Sequence, residues 1–226
     1  MCGRYVTPEQ AAAEREFTLR RTHWQFQARF NVAPSLDVPV VRRGADGWEG
    51  LMMRWGLVPF FAHGETPRYS TINARIETLA TTASYRMPWR RGQRCLLPAT
   101  GFYEWHVADD GSKTPWFIEA TDQAVFGFAG LWDRSLRTDG TEVLSCTIIT
   151  LPANPLLARI YNLKQRMPAI LERAAQADWL GEDGAAALAA LRPYPEERLR
   201  AWPVSRRVNS PRNDGPELIA PLNAAG

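Results

Sequence analysis

Alternation of apolar and polar residues dominates the chain and is densest in its middle. Arg94–Pro98, Gly101–Val107, Pro115–Ala120, Val125–Leu131 and Val143–Thr150 read as five strands, since successive side chains on a strand face opposite sides. Asp109-Asp110-Gly111 and Thr138-Asp139-Gly140 mark the turns between two of the pairs. Upstream, Asp37–Arg43 and Trp48–Trp55 carry the same pattern on either side of Gly44-Ala45-Asp46-Gly47, a hairpin signal. Thr7-Pro8-Glu9-Gln10 predicts a helix reaching about Arg20, with Thr7 as N-cap, Pro8 in the first helical position and Gln10 closing a capping box. Phe30-Asn31-Val32-Ala33-Pro34 reads as a polar loop, residues 60–71 as irregular, and Ile72–Thr78 as a short helix with Asn73 near its N-terminus. Leu151–Ile160 holds a further short helix. Glu172–Leu191 is alanine-rich and helical, broken at Gly181 and Gly184, and Leu199–Val204 is a last strand. Strands gathered centrally with helices at the flanks predict an α+β fold built on a curved, largely antiparallel sheet.

Composition narrows the class. The chain has 226 residues, 45% apolar and 23% charged, and no linker-like stretch interrupts it, so a single domain over residues 1–226 is expected. A net charge of +3 permits a polyanionic partner without requiring one. Three widely spaced cysteines argue against a disulfide framework and fit a reducing, cytoplasmic setting. Cys95 and Cys146 lie in apolar runs and read as core. No stretch resembles a signal peptide or a membrane span. His23, His63 and His106 show no ligand spacing with one another or with the cysteines, so no metal or other cofactor is expected.

Three positions carry candidate chemistry. Cys2 follows an initiator methionine that a residue this small allows to be trimmed, which would leave an α-amine and a thiol on one residue. Such a pair condenses with an aldehyde, first to a Schiff base and then to a thiazolidine ring; the alternative is an incidental cysteine at a frayed terminus. Glu104 sits among aromatics in Gly101-Phe102-Tyr103-Glu104-Trp105, a setting that raises a carboxyl pKa and suits acid–base work, unless alternation points it to solvent. Asn73 is either a site residue or a helix cap. Arg4, Arg75, Arg166, Arg206 and Arg207 could clamp phosphates or simply be scattered surface charges.

Taken together, Met-Cys-Gly-Arg at the start, Phe-Asn-Val-Ala-Pro, Trp-Gly-Leu-Val-Pro, Ile-Asn-Ala-Arg-Ile-Glu-Thr, Gly-Phe-Tyr-Glu-Trp, Arg-Met-Pro and Pro-Val-Ser occur in order from Cys2 to about Pro221. In this the chain resembles the SOS response-associated peptidase family, the abasic-site processing proteins. The resemblance implies a barrel-like sheet core and a positively charged channel for single-stranded DNA. It implies capture of abasic sites by a covalent thiazolidine crosslink through Cys2, with Asn73 orienting the sugar and amine and Glu104 moving protons. It further implies phosphate contacts from Arg4, Arg75 and Arg166, an aromatic near the strand at Trp105, and channel-lining roles for Asn31, Trp55 and Thr150. No membrane contact and a monomer are expected.

One departure stands out. The family carries Ile-His shortly before Arg-Met-Pro, and its histidine assists sugar ring-opening and crosslink reversal. Here the run is Ile160-Tyr161-Asn162-Leu163-Lys164-Gln165-Arg166. Anchoring on Ile160 puts Tyr161 in the histidine's place, whereas anchoring on Arg166 puts Lys164 there. Crosslinking is expected to survive, with ring-opening or reversal slowed or rerouted. Two other readings remain open at this point: a thiol peptidase using Cys2, and a non-catalytic single-strand binding module. A Schiff base would also open a route to strand cleavage by β-elimination.

Overall fold

The computed structural model describes residues 2–222. Its strands are β1 (Tyr5–Val6), β2 (Arg21–His23), β3 (Asp37–Arg43), β4 (Trp48–Trp55), β5 (Asn73–Arg75), β6 (Arg94–Ala99), β7 (Gly101–Val107), β8 (Lys113–Ala120), β9 (Phe126–Leu136), β10 (Glu142–Pro152), β11 (Arg166–Pro168), β12 (Ile170–Leu171) and β13 (Leu199–Pro203). Its helices are α1 (Gln10–Phe17), α2 (Ala83–Arg90), α3 (Pro155–Ile160), α4 (Arg173–Leu180) and α5 (Gly184–Ala190).

β3, β4, β6, β9 and β10 close on one another through the order β10-β4-β3-β6-β9 and a return pairing of β9 with β10. All these pairings are antiparallel except β10 with β4. β2 and β5 add to this barrel along β4 and β10, and β11 and β12 extend it. A second sheet, β1-β7-β8-β13, lies beside it. The result is α+β, as the alternation predicts, with the barrel-like core that the resemblance implies.

Aromatic rings fill the centre. Tyr5 meets Trp55 and Phe128 edge-on, with ring centroids 5.2 and 5.8 Å apart, and all three are fully buried. Such pairs add specificity beyond the burial of area. Cys95 and Cys146 are free and buried in the same core. Glycine permits the closest approach: a Cβ on Gly101 would fall 2.2 Å from the Phe117 ring and 2.9 Å from the Ile118 carbonyl.

Several local expectations are corrected. α1 starts at Gln10 and ends at Phe17, and Glu9 is its N-cap. Thr7 cannot cap it, because its Oγ1 accepts the Arg29 N–H at 2.8 Å. Residues 79–93, where no element is predicted, hold α2, whose pattern is masked by Pro88 inside the helix. Asn73 lies on a strand rather than at a helix start: β5 runs parallel to β10, with Asn73 opposite Ile148. Gly184 opens α5 instead of breaking a helix, and the Asp183 side chain caps it by accepting the Ala185 N–H.

Candidate active site

The start of the chain is delivered by an edge strand. β1 pairs with β7 so that Tyr5 faces Phe102 and Val6 faces Gly101, and the Tyr103 N–H donates to the Arg4 carbonyl at 3.0 Å. Continuing that register brings the residues before Arg4 alongside Glu104. Cys2 is fully buried there, and Asn73 Nδ2 donates to its carbonyl at 2.9 Å. Asn73 is itself anchored: its carbonyl accepts the Tyr85 hydroxyl at 3.1 Å. Its side-chain Oδ1 is buried and accepts no hydrogen bond among the described residues.

Glu104 is 1% exposed. Alternation along β7 therefore turns it inward with Phe102, away from solvent. Burial pushes its carboxyl up to about 7, with the Trp105 backbone N–H pulling the other way. The Cys2 thiol is also raised, chiefly by burial and next by the charge of Glu104. Its contact with the Arg4 carbonyl, at 3.7 Å, is long. A neutral thiol and a carboxyl poised near neutrality thus lie buried within electrostatic reach of each other, which is the arrangement a proton-transfer partner needs.

Tyr161 completes the neighbourhood. It caps α3, its N–H bonded to the Leu157 carbonyl at 2.7 Å. Three bonds fasten this corner to β7: His106 Nδ1–H to the Arg159 carbonyl at 3.0 Å, Asn162 Nδ2 to the Val107 carbonyl at 2.8 Å, and the Val107 N–H to Asn162 Oδ1 at 3.2 Å. Tyr161 is half-buried between these ties, and its phenol is raised first by burial and then by Glu104, against the pull of Arg75. Lys164 is exposed in the turn that follows. Of the two registers, the one with Tyr161 brings a side chain within the field of Glu104.

Residues 1–211 match the family model described as SOS response associated peptidase (SRAP). The chain belongs to the SRAP family. Among its relatives, abasic site processing protein YoqW of Bacillus subtilis (strain 168) is 35% identical, over 97% of this chain and 99% of its own. Abasic site processing protein HMCES of Gallus gallus is 32% identical, over 98% of this chain and 78% of its own length. A crystal structure of a Bacteroides thetaiotaomicron protein superposes with a TM-score of 0.84 at 26% identity, covering 98% of this chain and 100% of that one.

The remaining SRAP positions fall into two groups. Arg75 is exposed on β5, and Trp105 is half-buried on β7 with its Nε1–H donating to Asn209 Oδ1 at 2.9 Å. Arg4 is more committed, with Nη1 donating to the Val208 carbonyl at 3.1 Å. Arg166 is buried and forms a two-pronged pair with Glu77, at 2.5 and 3.0 Å, while also donating to the Thr150 carbonyl at 2.6 Å. That hydrogen bonding holds the Glu77 carboxyl below its ordinary value. An incoming phosphate would have to replace Glu77 to engage Arg166.

Asn31, Trp55 and Thr150, expected to line a channel, are instead fully buried. Asn31 Nδ2 lies within bonding distance of three carbonyls, those of Val208, Ser210 and Asn213, and so ties its loop to the C-terminal segment. Trp55 donates its indole N–H to the Ile72 carbonyl at 3.0 Å. Thr150 receives Arg166. All three are thus engaged by contacts within the protein. Conversely, Tyr85 supports Asn73 from outside every motif, whereas Glu77, which supports Arg166, stands in the same Ile-Asn-Ala-Arg-Ile-Glu-Thr run as Asn73.

Proposed function

We propose that this protein captures abasic sites in single-stranded DNA as a covalent crosslink, using Cys2 as its N-terminal residue once Met1 is removed. The Cys2 amine attacks the aldehyde carbon of the opened sugar, and the carbinolamine loses water to leave an imine. The thiol sulfur then adds to the imine carbon while its proton passes to nitrogen, so that amine, thiol and aldehyde become a thiazolidine and one water. Glu104 accepts and returns these protons, and Asn73 holds the Cys2 carbonyl while offering Oδ1 to the sugar or amine. Arg75 and Trp105 contact the strand.

The observation that carries this reading is the buried pair of Cys2 and Glu104. A peptidase thiol is activated by a depressed pKa, whereas here burial and Glu104 push the thiol up. A neutral thiol that needs a neighbouring base supports ring closure over thiol-peptidase chemistry. The imine is also the branch point for β-elimination, so a minor yield of cleaved strand accompanies the crosslink.

Mixing the protein with an abasic single strand and running a denaturing gel tests the reading, with intact-mass measurement reporting Met1 removal. A covalent band that disappears in Cys2→Ala is expected. A demethionylated protein that gives no such band would refute the proposal.

A further inference from the structure

The β3–β4 hairpin has two ends. At one, Asp37 pairs with Arg54, and the adjoining Trp55 packs on Tyr5 next to the Cys2 site. At the other, Arg43 pairs with Trp48. The seven residues of β3 separate these ends by about 20 Å, at roughly 3.3 Å per residue. Beside the far end lies a cleft of about 710 Å³, lined by Arg43, Arg90, Arg91 and Arg94 together with Trp89 and Trp132.

Its charge is unbalanced. Arg43 pairs with Glu182 at 2.9 Å. Arg94 is buried, held by the Trp179 carbonyl at 2.7 Å and by the Gly181 carbonyl, with Asp183 as its charged neighbour. Arg90 and Arg91 are exposed at the C-terminus of α2 and form no ion pair among the described residues, although Arg91 lies over the Phe60 ring at 5.2 Å and within the field of Asp133. Cations at the C-terminus of a helix gain from its dipole. They are also placed to meet an anion: guanidinium forks match phosphate oxygens better than ammonium groups do, and a cleft carrying several of one sign concentrates the opposite charge.

We propose that this cleft binds the sugar–phosphate backbone of the same nucleic acid strand whose abasic position occupies the Cys2 site. The inference rests on the function proposed above, because a strand reacting at Cys2 needs at most about six further nucleotides, even at the ~3.4 Å rise of stacked B-form DNA, to cover about 20 Å. A continuous polyanion satisfies Arg90 and Arg91 without a shape-matched partner. An acidic protein surface is the competing occupant.

The test uses equilibrium binding of intact, abasic-free single strands of about 3 and about 30 nucleotides to the full-length protein over a range of salt. Each phosphate contact contributes about 0.7 to the slope of log K against log salt on single strands. The double variant R90A/R91A should therefore lower the slope for the long strand by about 1.4 and weaken it roughly tenfold at 0.15 M salt, while the charge-keeping R90K/R91K retains the slope. The short strand cannot hold both places at once, so it should bind wild type more weakly than the long strand does. Melting temperature and crosslinking of a short abasic strand report that R90A/R91A is folded and that its Cys2 site is intact. An unchanged long-strand slope in R90A/R91A, or a wild type that binds both lengths equally, overturns the cleft assignment and leaves an acidic protein as its occupant. Failure of the short abasic strand to crosslink with wild type would instead count against the Cys2 reading alone.

Discussion

Replacing Glu104 by Gln separates what the site needs from what the fold needs. The carboxyl is raised from its ordinary 4.5 to about 7, chiefly by burial, so between those values the folded state binds a proton that the unfolded state has released. Stability from this group is full below about pH 4.5 and falls as pH rises to about 7, then stays flat. A gap of roughly 2.5 pH units at about 1.4 kcal/mol each gives about 3 kcal/mol. Gln keeps the shape and the neutral state without the titration. E104Q should match wild type near pH 4.5 and exceed it by about 3 kcal/mol at pH 8, which is roughly 6–12 °C in melting temperature for a chain of this size. Urea unfolding of both proteins at several pH values measures the difference, in which other groups cancel. The same variant should lose most crosslinking, while wild-type crosslinking rises with pH through about 7. If E104Q is no more stable than wild type at pH 8, the carboxyl is not destabilised by burial and its assignment as a tuned proton carrier fails.

Other substitutions probe the surroundings. Tyr161→His should speed crosslink reversal relative to wild type, followed by transfer of protein between competing abasic strands, whereas Tyr161→Phe should leave a crosslink that reverses no faster. Glu77→Gln leaves Arg166 without its charged partner but still held by the Thr150 carbonyl; because Glu77 is itself exposed, it should cost about 1–2 kcal/mol by urea unfolding and raise the salt slope of DNA binding by about 0.7, as Arg166 becomes available to phosphate. Gly101→Ala forces a methyl into the Phe117 ring and should destabilise by about 1–3 kcal/mol, read from the same unfolding curves.

What the sequence reveals and what it hides follow from the range of the interactions. β3, β4 and β7 appear at their observed bounds because alternation and turn residues are local. Thr7 misleads because the Arg29 N–H, 22 residues away, takes the oxygen a cap would need. Asn73 reads as a helix cap until β10 is present to pair with it. Asn31 and Trp55 stand in motifs as conspicuous as those of Cys2 and Glu104, yet their polar groups are consumed by carbonyls that sequence cannot position. A motif records that a residue is needed. It does not distinguish the residue that holds a loop from the one that meets a substrate.

That distinction comes from how the chain's start is held. Cys2 is located by backbone rather than by its own side chain: the Arg4 carbonyl on β7, the β1 register, and its carbonyl on Asn73. In a paired strand a slip of one residue reverses every side chain, so the same register that buries Tyr5 against Trp55 also sets which way Cys2 and Glu104 face. The core contact of Tyr5 thereby helps to fix Cys2, three residues away, on which the proposed chemistry rests. An uncoupled, frayed terminus would present an amine and a thiol at random. Here Cys2 is placed by the packing of the barrel, and the carboxyl beside it is raised by the same burial.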